Sequence, residues 1–139
     1  MKASPPKELI VTWFDRVWNQ LDENAVRELM NEDGEILGLG TTVVDPEGFI
    51  RILRLYRAAF DQIHLEVVDL VEDDSSVAGH ARFSGIHRQS TREVDFLFSF
   101  AARCEGNRLS WIRHVVDFTA LLSQIGTLDP RAVNMIFEA

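Results

Sequence analysis

Near the end of the sequence, Asp117 stands between Val115-Val116 and Phe118. A carboxylate among apolar neighbours is costly unless it is paired or hydrogen-bonded. In a dry pocket its pKa rises, and such a carboxyl can take a proton from beside a carbonyl group and return it elsewhere. The same residue also suits a structural role, either paired with Arg113 or capping Thr119-Ala120-Leu121. If the strand is regular, Trp111, Arg113, Val115 and Asp117 share one face, and Arg113 would keep the carboxylate ionised. Two histidines, His80 and His87, differ in parity and so point to opposite faces of a regular strand. His114 likewise differs in parity from Asp117. No two histidines fall at i, i+2 or i, i+4, and no metal site is expected. Trp13, Trp18 and Tyr56 fit a core and the wall of a pocket wide enough for an aromatic or polycyclic ligand.

These residues need elements to position them. Pro5-Pro6 opens a helix whose Leu9, Ile10, Trp13, Phe14, Val17, Trp18 and Leu21 recur at helical spacing. Asp22 caps a short second helix with Ala25, Val26, Leu29 and Met30 inward, and Asp33-Gly34 breaks it. A short glycine-rich strand over Ile36–Leu39 follows. Asp45-Pro46 then starts a third helix with Phe49, Ile52, Leu53, Tyr56 and Phe60 on its apolar face. Beyond this the period changes to two. Strands are expected over Ile63–Leu70, Val77–Arg88, Glu93–Cys104 and Arg108–Phe118, joined by polar turns. Leu121–Ile125 ends at Gly126, and Asp129-Pro130 starts a terminal helix through Val133, Ile136 and Phe137. Helices followed by a meander of long strands is an α+β pattern, and strands of this length twist and curve. Phe96, Phe98 and Phe100 alternate with Leu97 and Ser99, so both faces of that strand are partly apolar.

The 139 residues suit one domain spanning 1–139, and 46% hydrophobic residues supply one core. Cys104 is the single cysteine, which rules out an intrachain disulfide and fits a reducing cytoplasm. The polar Met1–Lys7 stretch does not resemble a secretory leader, and no run approaches the ~20 apolar residues of a membrane span. The net charge is −8, from 22 acidic against 14 basic residues, a field that repels nucleic acid. Arg51, Arg54 and Arg57 lie at helical spacing and read as a solvated helix face.

Four stretches resemble SnoaL-like polyketide cyclases of the nuclear-transport-factor-two-like superfamily. They are Val17-Trp18-Asn19-Gln20 with Asp22; Asp45-Pro46-Glu47-Gly48-Phe49 with Arg57-Ala58-Ala59-Phe60-Asp61; Val77 through Gly85-Ile86-His87; and Asp117 with Leu121-Leu122-Ser123-Gln124-Ile125-Gly126. The resemblance runs from about Leu9 to Gly126. It implies a cone of three N-terminal helices on a curved, mostly antiparallel sheet. It also implies an acid/base role for Asp117, with His87 orienting it or hydrogen-bonding an enol oxygen, on a small apolar carbonyl compound. Trp13, Tyr56, Trp111 and Arg113 are read from their size and strand face as pocket residues, and no cofactor is expected because the sequence has no glycine-rich phosphate loop or metal cluster. The resemblance further implies that two copies dimerise through the outer face of the sheet. The chain departs from the family pattern in its first strand, Gly34-Glu35-Ile36-Leu37-Gly38-Leu39-Gly40, where polar residues are common. It also has Ile86 for the usual threonine, and Ser99-Phe100-Ala101-Ala102-Arg103 where the family carries a polar residue. These departures favour the second reading, a binding or interaction domain that kept the pocket and lost the chemistry.

Overall fold

Aspartate and proline begin the helices in the computed structural model, which describes residues 5–40 and 42–138. Residues 1–4 of the polar N-terminal stretch lie outside the described residues. Pro6 enters the first turn of α1 (Pro6–Trp13), which continues as a π-helical segment, Phe14–Asn19. The Asp22 side chain accepts the Asn24 N–H at the start of α2 (Glu23–Leu29). Asp45 accepts the Gly48 N–H at 2.8 Å at the start of α3 (Pro46–Ala59). These side chains satisfy amide donors that the first helical turn leaves without partners.

The strands are β1 (Met30–Leu37), β2 (Phe60–Glu72), β3 (Ser76–His87), β4 (Glu93–Glu105) and β5 (Arg108–Val116). They form one sheet in the order β1-β5-β4-β3-β2. The β1–β5 pair is parallel and the other three pairs are antiparallel. The α+β reading therefore holds. β1 is longer than expected and takes Met30 from the anticipated second helix, because Met30 pairs with Leu109 across the sheet. β2 begins earlier, at Phe60, which pairs with His87. At the far end of β2 the register shifts between Val67 and Asp69. Gly79 lies across from this irregularity, and a Cβ there would come within 2.1 Å of the Asp69 carbonyl oxygen.

The core lies between the helices and the inner face of the sheet. Trp13, Phe14, Val17 and Trp18 from the first helix meet Phe49, Ile50 and Leu53 of α3 and Val94, Phe96, Phe98 and Phe100 of β4. Phe96, Phe98 and Phe100 thus take the buried role, while Leu97 on the opposite face is exposed. The π-helical segment is tied to the edge strand by Asn19, whose side chain donates to the Leu65 carbonyl at 3.0 Å and accepts the Leu65 N–H at 2.7 Å.

β5 stops at Val116. Asp117 turns the chain by accepting the Ala120 N–H at the start of α4 (Phe118–Gln124). The expected terminal helix is a 3-10 segment, Pro130–Phe137, with Asp129 accepting the Arg131 N–H. Of the three arginines on α3, Arg54 is held by both oxygens of Glu23, and Arg57 donates to the Leu21 carbonyl. Arg51 and Arg54 are exposed, the solvated face expected of them, while Arg57 is half-buried. No helix among the described residues is long and apolar enough to cross a membrane.

Candidate binding site in the cone interior

Alternation along β5 decides which side chains enter the cone. Ile112, His114 and Val116 face inward, and Trp111, Arg113 and Val115 face outward. The inward pair His114 and Val116 closes one side of a void. Trp18 of the π-helical segment, Tyr56 of α3, Leu65 of β2, Phe83 of β3, and Phe96 and Phe98 of β4 make its other walls, with Leu39 in the connection to α3. The void is about 20 Å³, room for one water-sized group. The walls are a connected aromatic set. Trp18 meets Tyr56 edge-on at 5.3 Å, Phe83 stacks on Phe96 at 5.1 Å, and the His114 ring lies 5.9 Å from Phe98.

His114 is the one polar or charged residue that the fold fully buries among the described residues, at 6% exposure. Its Nδ1 lies 2.8 Å from the Leu37 carbonyl oxygen. A carbonyl only accepts, so Nδ1 carries the proton and Nε2 of the neutral ring presents a lone pair. Burial pushes the imidazole down to about 4, with the Leu37 carbonyl pulling weakly the other way. Gly38 makes this contact attainable. Its φ is +92°, and a Cβ there would come within 1.8 Å of the His114 carbonyl oxygen. Only glycine lets the end of β1 run this close to β5.

Two of the residues lining the void each carry a buried ring nitrogen without a hydrogen-bond partner: Nε2 of His114 and Nε1 of Trp18. Each such orphan costs about 1–3 kcal/mol. The Tyr56 hydroxyl donates to the Leu39 carbonyl at 3.4 Å, a long bond, and burial pushes its pKa up to about 12. None of the residues lining the void carries a carboxylate.

Of the residues singled out in the sequence, Tyr56 lines this void. Trp13 is fully buried one layer away, stacked on Phe49 at 5.4 Å, and is core. His87 lies on the inner face but half-buried at the sheet end. Its Nδ1 is 2.7 Å from Ser90 Oγ, and its ring packs against Phe60 rather than bordering the void. The placement of three residues is corrected. Asp117 is exposed and caps α4, because the strand ends one residue before it. Trp111 and Arg113 sit on the outer face, with the guanidinium 4.2 Å from the centre of the Trp111 ring. His114 is the functional candidate that the sequence pattern does not single out, whereas Trp18 lines the void as one of the three residues expected in core and pocket wall. The signal for His114 was its parity with Ile112 and Val116 in an apolar inward row.

Residues 8–125 match the model of the SnoaL-like polyketide cyclase family. No curated protein matches the chain significantly. Among solved structures, IdmH of Streptomyces antibioticus, a candidate polyketide cyclase, superposes with a TM-score of 0.79 at 23% identity, over 87% of this chain and 98% of that one. A candidate SnoaL-like polyketide cyclase from Jannaschia sp. CCS1 gives 0.79 at 19% identity, covering 94% and 99%. A hypothetical protein of ketosteroid isomerase-like fold from Catenulispora acidiphila, in complex with trimethylamine, gives 0.79 at 17% identity, covering 90% and 96%.

Proposed function

The chain belongs to the SnoaL-like polyketide cyclase family, and we propose that it is a small-molecule-binding member, whose cone interior takes a small, largely apolar compound without acid/base turnover. The observation that carries this reading is the lining of the void, which is aromatic and aliphatic except for His114, Trp18 and Tyr56. Asp117, the carboxylate through which cyclase or isomerase chemistry would run, is spent on the Ala120 amide outside that lining. His114 is the remaining base. An imidazole near pKa 4 lies about three units below neutral pH, which at 1.36 kcal/mol per unit forgoes about 4 kcal/mol of driving force for proton abstraction. It is a good hydrogen-bond acceptor and a poor general base.

The test uses β-tetralone, a small apolar ketone with exchangeable protons beside its carbonyl. Incubated with the chain in D2O at pH 7, it should exchange those protons at the buffer rate, while toluene should bind with a measurable change in tryptophan fluorescence. Acceleration of exchange that disappears in His114→Phe would overturn the binding-only reading in favour of catalysis. Leu39→Trp, at the partly exposed side of the void, should abolish toluene binding.

We also propose that two copies associate through the outer face of the sheet. Leu97 and Val115 stand 48% and 74% exposed there, and Val71, Ala78, Ala101 and Trp111 line a shallow hollow beside them. A stable dimer typically buries ~1,200–2,000 Å² in total.

A further inference from the structure

The orphaned ring nitrogens of two void-lining residues, Trp18 and His114, have fixed and opposite polarity. An indole N–H only donates, so Trp18 Nε1 asks for an acceptor. The Leu37 carbonyl holds the proton on Nδ1 of His114, so Nε2 asks for a donor. Both rings border one void of about 20 Å³, which has room for one second-row polar group. A single hydroxyl oxygen can accept from one side and donate to the other. A carboxylate has no proton for His114, an ammonium has no lone pair for Trp18, and a hydrocarbon satisfies neither.

The burial of the site sharpens the choice. No charged side chain borders the void, so an ion entering it would leave water without a counter-charge. The surrounding walls are flat rings, Tyr56, Phe83, Phe96 and Phe98, against which a planar apolar frame can stack once they move apart, since the void itself has room only for the polar group. We propose that His114 and Trp18 together recognise one neutral hydroxyl group, so that the ligand is a small alcohol, phenol or enol on an otherwise apolar frame. Gly38 acts as a positioning residue: it brings the Leu37 carbonyl onto Nδ1 and thereby fixes which nitrogen faces the ligand. This inference rests on the binding reading above and adds the polarity of the group that is bound.

The experiment compares phenol, toluene and benzoate, titrated into the full chain at pH 7.5 and followed by 1H–15N spectra of the indole N–H groups. The Trp18 resonance is assigned as the one lost in Trp18→Phe. Phenol should bind at least tenfold more tightly than toluene and at least tenfold more tightly than benzoate, and should move the Trp18 indole signal. In His114→Phe, toluene should still bind and the preference for phenol should vanish. His114→Gln, which restores an acceptor, should recover part of it; if either variant does not fold, the three-ligand comparison on the wild-type chain decides alone. Equal affinity for phenol and toluene leaves the binding reading standing and overturns the hydroxyl inference. Benzoate matching phenol overturns it as well, as does phenol binding that leaves the Trp18 signal in place. If none of the three binds, the binding reading itself fails and takes the inference with it.

Discussion

The two faces of β5 carry residues one position apart that live in different media. Inward, His114 is dry, neutral and pinned by a single backbone carbonyl. Outward, Arg113 is exposed to solvent and lies across Trp111. The inner face could select a ligand by hydrogen-bond polarity, because no water competes and every misplaced proton is costly. The outer face has charge, stacking and exposed valine and leucine, the ingredients of an association surface. The strand therefore separates two tasks by parity alone. Asp117, which shares the outer parity in the sequence, belongs to neither face, because its side chain has ended the strand.

The sharpest way to break the inner half of this comparison is Trp18→Ala. Trp18 is buried among Phe49, Tyr56 and Phe83, and its removal should cost ~3–5 kcal/mol in urea unfolding. A midpoint close to wild type would show that the aromatic cluster is not the structural wall described above. The next effect is on pH. The folded-state pKa of His114 lies below the unfolded value of 6.5. Its contribution is therefore fully present above about pH 6.5 and is lost as pH falls towards 4, because the unfolded chain binds the proton first. The loss should approach about 3 kcal/mol at pH 4. The carboxylates add their own acid dependence, so the quantity to measure is the difference between wild type and His114→Phe across that window. A difference that stays flat from pH 7 to pH 4 would mean that His114 is solvated.

The outer half is tested by Leu97→Lys. A charge placed in the centre of the sheet face should weaken self-association by about 2 kcal/mol, or roughly thirtyfold in Kd, while leaving unfolding of the isolated chain nearly unchanged. Sedimentation equilibrium separates the two. A wild-type chain that stays monomeric at high micromolar concentration would remove the association role from this face.

How much of this was legible depended on whether local chemistry or long-range pairing decided the outcome. The helix starts at Asp22 and Asp45 and the alternating inward phenylalanines of β4 were readable, because caps and period-two burial are local. The end of β5 was not. Val115-Val116-Asp117-Phe118 continues as a strand by pattern, and the cap that stops it competes with that pattern at a single residue. The role of Gly38 was also hidden. In the sequence the glycine-rich first strand reads as a loss of polar groups. In the fold it is the close approach that orients His114, and it depends on β1 pairing in parallel with a strand more than seventy residues away. His114 was disregarded because parity was counted from Asp117. Counted from Ile112 and Val116, the same rule would have placed it inside.

The smallest expected effect decides between the two roles first open to Asp117. Its Oδ1 accepts the Ala120 N–H at 2.9 Å, and its side chain is exposed. Loss of an N-cap of this kind costs typically ~1 kcal/mol, so Asp117→Ala should lower stability by about that amount and leave toluene and phenol affinities unchanged. Asp117→Ser keeps a capping oxygen and removes the carboxylate, and should restore most of the stability. An acid/base carboxylate behaves in the opposite way: serine would be as defective as alanine in any β-tetralone exchange, and neither change would track with helix stability. Asp117→Asn separates the cases further, because it caps as well as aspartate but cannot carry a proton between substrate atoms. If Asp117→Asn and Asp117→Ser both match wild type in unfolding and ligand affinity, the carboxylate is structural, and the difference between the two faces of β5 rests on His114 and Arg113 alone.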